Sequence, residues 1–293
     1  MIKRLKVGIP WYAKIGAKLV LSRIPLPYKL WKSLGIFGHG PMQQSDYAQQ
    51  VFKSHFAAGS LRLGFCCLEL GPGDSLLSAL FARAHGASRI YLVDVGRFAT
   101  DNCAPYRKLA LELKEQGYDV PTGFSSVAEM LEQCNARYLT AGLASLKEIP
   151  TGSVDFIWSQ AVLEHVRREQ FSPMIGEWRR VMKDTGFASH SIDLKDHFNN
   201  ALNNLRFSDE RWESRLFQTS GFYTNRIRCS EMLGLFRAEG FSATITRAVK
   251  WDRLPTDKAR LAPRFRAIAD DDLLVSSFTA VLRPSDHVAR IVR

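Results

Sequence analysis

Short apolar runs and helically spaced apolar residues alternate along this chain. Cys67-Leu-Glu-Leu70 reads as a buried strand, closed by the glycine turn Gly71-Pro72-Gly73. Asp74 or Ser75 can cap the helix that follows, whose residues Leu76, Leu77, Leu80, Phe81 and Ala84 share one face before Gly86 ends it. Tyr91-Leu-Val-Asp94 is a second strand, with a carboxylate at its end. Further on, Val154–Trp158 reads as a buried strand, and Arg168–Met182 as a helix with an apolar stripe of Met174, Ile175, Trp178, Val181 and Met182. A turn at Lys183–Gly186 leads into a strand at 187–191. A helix at 229–238 and β-rich segments at 241–249 and 275–282 complete the pattern. Strands and helices in this order predict an open α/β sheet that binds ligands at the carboxyl ends of its strands.

Composition narrows the class of protein. The chain has 293 residues, enough for one α/β domain with additions. Its five cysteines show no metal-ligand spacing and read as small apolar residues of a reduced cytoplasmic core; no metal site is expected. Lys14, Lys18 and Arg23 interrupt the early apolar stretches, so no signal peptide is expected, and no run is long enough to span a bilayer.

Charge is concentrated at one end. No acid precedes Asp46, while eight lysines and arginines do, supplying +8 of the net +11. Trp11, Tyr12, Ile15, Leu19, Val20, Leu21, Tyr28 and Trp31 are interleaved with them, and Pro25 and Pro27 joint the segment. Two readings stay open: a helical cap packed over the cofactor domain, or a basic aromatic segment (residues 1–45) lying on an anionic membrane at its cytoplasmic face. The same charge would attract nucleic acid, but it lies in an apolar-rich segment with no RNA-binding module, which argues against a nucleic-acid partner.

The candidate chemistry starts at Glu69-Leu-Gly71-Pro-Gly73-Asp-Ser75. A dinucleotide site would present a third glycine and receive a phosphate here; an acid in that place favours a cationic or zwitterionic cofactor. The stretch resembles motif I of the class I S-adenosylmethionine-dependent methyltransferases, with Ser75 in place of the last glycine. About eighty residues on, Ile149-Pro-Thr-Gly-Ser-Val-Asp-Phe-Ile-Trp-Ser-Gln-Ala-Val-Leu-Glu-His-Val166 resembles the fourth-strand motif of the same superfamily, in the subgroup with quinone-biosynthesis and bacterial small-molecule enzymes. Ser159-Gln160-Ala161-Val162 stands where base-amino methyltransferases carry N/D-P-P-Y/F. The resemblance implies a Rossmann-like seven-stranded sheet, mostly parallel with the last strand antiparallel and helices on both faces. It also implies S-adenosyl-L-methionine as cofactor, held by Glu69, Gly71, Pro72, Gly73 and Asp94. Asp94 would take the ribose hydroxyls, Gly142 and Leu143 would flank the adenine, and Ser159 and Gln160 would close the site.

The acceptor side falls in the last third. The segment from His190 through Asp193, Asp196 and His197, then Asn199, Asn200, Asn203, Asn204, Trp212 and Tyr223, is long for a connection and suits a hydroxyl-rich acceptor. The alternative is a surface subdomain bonded to itself. An alcohol-like nucleophile needs a base, for which His165, His190 and His197 are candidates, with Asp193 or Asp196 to orient a ring. The stretch 190–197 also resembles a variant found in methyltransferases of bacterial polysaccharide synthesis. The expected layout is a helical extension (1–58), a cofactor-binding core (59–191), an acceptor-side insertion or lid (192–228), the rest of the core (229–285), in which 250–272 packs on the N-terminal cap, and a tail (286–293). The expected activity is O-methylation of a sugar or a small or lipid-linked glycan precursor. Methylation of a quinone or other lipid, of RNA, or cofactor binding without transfer at a membrane are the alternatives.

Overall fold

In the computed structural model, residues 10–24 and 41–285 are described. Two helices lead the chain, α1 (Trp11–Leu21) and α2 (Ser45–Phe56). The units β1 (Cys66–Leu70), α3 (Leu77–Ala84), β2 (Arg89–Val93), α4 (Ala104–Glu115), α5 (Val127–Gln133) and β3 (Ala136–Leu139) follow. Next come the one-turn α6 (Leu143–Leu146), β4 (Val154–Gln160), α7 (Arg168–Val181) and β5 (Met182–Asp193). The insertion carries α8 (Asp209–Trp212) and α9 (Arg215–Gln218). It is followed by α10 (Cys229–Ala238), β6 (Phe241–Lys250), α11 (Pro263–Arg266), α12 (Asp270–Leu273) and β7 (Val275–Pro284).

The strands form one sheet in the order β3-β2-β1-β4-β5-β7-β6. β1 to β5 pair in parallel, and β7 runs antiparallel to both β5 and β6. The expected seven-stranded, Rossmann-like sheet is therefore present. Its strand order reverses between β1 and β4, and in open α/β sheets the ligand crevice opens at such a reversal.

Alternation along each strand sorts side chains onto two cores. Cys67, Ile90, Leu92, Phe156 and Trp158 face α2, α3, α4 and α5. Leu68, Tyr91, Val93 and Ile157 face α7 and α10. Helix α7 buries the stripe Met174, Ile175, Trp178 and Val181, as its spacing predicts. Helix α2 buries Ala48, Val51 and Phe52 in the first core, so residue 58 is not a packing boundary.

One local expectation changes. The turn at Lys183–Gly186 is an irregularity inside β5, which pairs Val154 with Met182 and then Phe156 with Phe187. Asp155 anchors it by accepting from Lys183 Nζ at 2.7 and 2.8 Å and from the Cys66 N–H at 2.9 Å. Among the described residues, the segment 250–272 packs on the insertion, with Leu261 and Phe265 against Leu202 and Leu205 and the neighbouring Leu273 in the same cluster. The tail 286–293 and the joint at Pro25 and Pro27 lie outside the described residues.

Candidate active site

The glycine turn after β1 sits against the ends of β2 and β3. Gly71, Gly73 and Gly142 have φ of 65°, 66° and 57°. Gly71 donates to Val93 O and Gly142 to Asp94 O, each at 2.8 Å. The Asp94 carboxylate accepts from the Gly73 N–H at 2.9 Å and the Val95 N–H at 2.7 Å. Ser75 accepts from the Leu77 N–H, and Leu76 N–H donates to the Tyr106 hydroxyl; α3 thus starts at Leu77, with no side-chain cap from Asp74.

Pro72 is buried inside the turn. Glu69 is buried under it, where Ser78 on α3 donates to its carboxylate; burial pushes its pKa up to about 8, and the neighbouring Asp94 adds to the rise. Its side chain supports the turn from below. Leu143 is half-buried at the start of α6. Val95, 78% exposed, stands at the lip, close enough to Gly142 that a Cβ there would lie 3.2 Å from its Cγ1. The sequence reading missed Val95, although an apolar residue directly after the ribose carboxylate is its own signal.

The end of β4 divides its two expected contacts between the sheet faces. Ser159 lies in the α7 core and hydrogen-bonds His190 Nδ1 at 2.8 Å. Gln160 points the other way and accepts from His55 Nε2 at 3.1 Å, while Ser189 bonds His55 Nδ1 at 2.8 Å. Burial lowers the pKa of His55 to about 4, so the ring is neutral. No local pattern announces His55, because its partners lie more than a hundred residues away.

His190 requires a correction. β5 runs on to Asp193, so His190 is inside the strand and alternation turns its ring into the core. It is fully buried against Trp178, with centroids 4.9 Å apart, and burial lowers its pKa to about 3. An acceptor could not reach it, and Ser159 shares its position away from the crevice.

His165 and His197 do meet. A turn at 161–165 leaves β4 with Ala161 at φ 52°, lays Val162 over Gly71, and ends in the one-turn segment Leu163–His165. The His165 ring is stacked on His197, with centroids 4.9 Å apart and planes 19° from parallel. His165 Nδ1 donates to Tyr223 O at 2.9 Å. His197 Nε2 has no hydrogen-bond partner, and burial lowers the pKa of this ring. Asp193 is bonded to Lys195, at 2.9 Å to its N–H and 3.1 Å to its Nζ. Asp196 caps the next turn, accepting from Phe198, Asn199 and Asn203 N–H groups and from Asn203 Nδ2.

The insertion is largely bonded to itself, as the second sequence reading had it. Trp212 is buried among Phe198, Phe217, Phe222 and Tyr223 and donates Nε1–H to Thr224 O at 2.7 Å. Arg226 is buried against Trp212 and Phe265 and bonds Phe207 O and Asp209. Asn225 clamps the histidine turn: its Nδ2 donates to Leu163 O and Val166 O at 2.8 and 3.0 Å, and its N–H to Glu164 O at 2.7 Å. The Glu164 carboxylate is buried, and burial raises its pKa to about 8 against the backbone N–H groups of Glu164 and Asp193, which lower it. It lines a cavity of about 10 Å³ with Asp193, Asn204 and Arg226. A larger hollow of about 400 Å³, at Arg168, Arg228, Glu231 and Arg264, shares Arg228 with it, and Arg168 and Arg264 are paired with Glu231. Among the described residues no cluster of metal-ligating side chains occurs, and no helix is long and apolar enough to cross a membrane.

A glycine turn after β1 and a carboxylate after β2 thus stand side by side at the strand reversal, the place where open α/β sheets bind their ligands. Residues 68–189 match the model of a methyltransferase domain, which covers less than half of the chain. The matched stretch is a methyltransferase domain, which indicates S-adenosylmethionine as its cofactor. Among solved structures, the chain is similar to the CurJ carbon methyltransferase (12% identity, TM-score 0.42, 83% of this chain and 54% of that one). It is also similar to DhpI in complex with SAH (14%, 0.44, 93% and 97%) and to an S-adenosylmethionine-dependent methyltransferase from Mesorhizobium loti (16%, 0.44, 82% and 99%). The chain thus spans about half of the first of these and nearly all of the other two. No protein of curated function matches it in sequence.

Proposed function

We infer that this methyltransferase transfers a methyl group to an oxygen of a sugar or of a small or lipid-linked glycan precursor. The observation that carries the reading is the 161–165 turn, which rests on Gly71 at one end and presents His165, stacked on His197, at the other. Cofactor turn and candidate base are thereby held by one short piece of backbone.

The residues fit the cofactor. Positive φ at Gly71, Gly73 and Gly142 brings bare backbone to the mouth, the Asp94 carboxylate stands beside it at the end of β2, and Val95 offers an exposed apolar face for the adenine. When bound, S-adenosylmethionine supplies a methyl group already activated by its sulfonium. The protein's part is to align the acceptor, exclude water and take the hydroxyl proton at His165. Orientation alone lowers such barriers by roughly 7–11 kcal/mol, and a placed base adds about 10²–10⁴-fold in rate. His197 sets the plane of the His165 ring by stacking, and the Tyr223 carbonyl fixes its tautomer. The insertion is the acceptor-side wall, with its own core giving it a fixed shape.

Calorimetric titration with S-adenosylhomocysteine, with NAD and ATP beside it, tests the cofactor site. Asp94→Asn should weaken S-adenosylhomocysteine by about 10–100-fold, the worth of a charge-assisted hydrogen bond. Equal affinity in wild type and variant would remove Asp94 from the site. With labelled methyl donor and sugar or lipid-linked acceptors, His165→Ala should lower kcat by about 10²-fold or more with cofactor affinity unchanged; an unchanged kcat would sink the base assignment.

A further inference from the structure

Helix α1 carries apolar residues on both its inner and its outer side. Its two lysines face the protein: Lys14 Nζ donates to Phe198 O at 2.9 Å and Asn199 Oδ1 at 2.8 Å, and Lys18 lies 5.9 Å from the Phe198 ring centre. Ile15 is buried among Phe198, Trp212 and Phe222, and Trp11 packs on Phe207 under the Arg206 guanidinium. The opposite face consists of Tyr12, Ala13, Gly16, Ala17, Val20 and, just past the helix, Ile24, all exposed. Tyr12 and Val20 are each 65% exposed and Ile24 42%. Leu216, 46% exposed, extends the apolar surface on α9, where its carbonyl accepts from Arg23 at 3.4 Å.

A surface helix that buries one apolar side and leaves a second apolar side exposed, with its lysines turned to the protein, can dock that second side on an apolar partner. Charge selects which one. Arg23 is exposed at the end of α1 and Arg211 and Arg215 are exposed on α8 and α9, where Asp209 and Glu213 are engaged by Arg226 and Glu210 is the one exposed acid of α8. The chain has no acid before Asp46 and carries +8 there. A second copy would bring the same positive field against itself, whereas an anionic lipid surface complements it.

We propose that the outer face of α1, continued by Leu216, docks the protein on an anionic lipid bilayer. The helix lies in the interface with its apolar stripe in the acyl boundary and the arginines at the headgroups. This deepens the lipid-linked part of the functional reading and rests on it for its purpose. α1 packs on Phe198, next to His197, and the Lys18 charge acts on the His197 ring. Docking here therefore sets the candidate base beside the lipid surface, where a lipid-linked acceptor would present its headgroup.

The test is co-sedimentation of the full-length protein with phosphatidylcholine vesicles and with vesicles containing about a third phosphatidylglycerol, a composition set by the need for an anionic surface. S-adenosylhomocysteine affinity is measured in parallel. Wild type should pellet with the anionic vesicles only. Val20→Asp, at an exposed position with no partner to lose, should weaken that binding by roughly tenfold or more while keeping circular dichroism and S-adenosylhomocysteine affinity. Equal pelleting of wild type and variant would overturn the proposal, as would no pelleting of the wild type. A concentration-dependent dimer abolished by Val20→Asp would overturn it in favour of a second copy. Vesicle binding without S-adenosylhomocysteine binding would instead leave the docking face standing and remove the methyl-transfer reading.

Discussion

Gly71 answers to two constraints at once. Its φ of 65° disfavours any L side chain, and a Cβ there would lie 2.6 Å from Val162 Cγ2, the residue that begins the histidine turn. Gly71→Ala should therefore cost about 1–2 kcal/mol of backbone strain and push the 162–165 turn outward. It should lower both S-adenosylhomocysteine affinity and kcat, which calorimetry and a transfer assay read separately; a loss confined to affinity would show that turn and glycine are not coupled. The glycine turn and the carboxylate ending the next strand were legible in the sequence at this scale, because both are local consequences of chain geometry. His190 was not. Whether a residue near a strand end faces crevice or core depends on where the strand stops, and β5 runs past it to Asp193.

The element that matters most to the chemistry is the turn between β4 and α7, and it does not hold itself. Asn225 closes two of its carbonyls and receives a third with its own N–H, from sixty residues away in sequence. Asn225→Ala leaves Leu163 O and Val166 O without those donors, at about 1–3 kcal/mol for buried unsatisfied groups. The expected outcome is a kcat reduced by roughly tenfold or more, with S-adenosylhomocysteine affinity kept because Asp94 and the glycine turn are untouched. A variant that loses affinity and rate together would point to general loosening of the fold. The Asn and aromatic richness of the insertion read equally well as acceptor surface or as self-bonded subdomain. Trp212, Asn203 and Arg226 are spent on the subdomain's own packing, a choice made by tertiary contacts that composition does not encode. The same holds for α2, whose burial is set by the sheet it lands on.

Across the whole molecule, four buried titratable groups set opposite slopes of stability with pH. His55 and His190 fall from 6.5 to about 4 and about 3, so below pH 6.5 the unfolded chain binds protons that the folded one refuses, and stability is lost as pH falls. Glu69 and Glu164 rise from 4.5 to about 8, so the folded chain keeps protons that the unfolded one has released. Their contribution is lost as pH rises from 4.5 to 8. Between 4.5 and 6.5 two groups of each kind oppose one another and their sum is nearly flat. Above that range only the glutamates act, at about 1.4 kcal/mol per unit each, so these groups place the stability maximum on the acid side of neutrality. Urea unfolding at pH 5.5 and 8 should show a loss of a few kcal/mol at the higher pH. The double variant Glu69→Gln, Glu164→Gln should recover most of it, since an amide keeps the shape and titrates no proton. A wild-type loss that the double variant leaves unchanged would mean that both carboxylates are ionised in the folded protein. The Ser78 bond to Glu69 and the 10 Å³ cavity beside Glu164 would then be accommodating charge rather than a neutral acid.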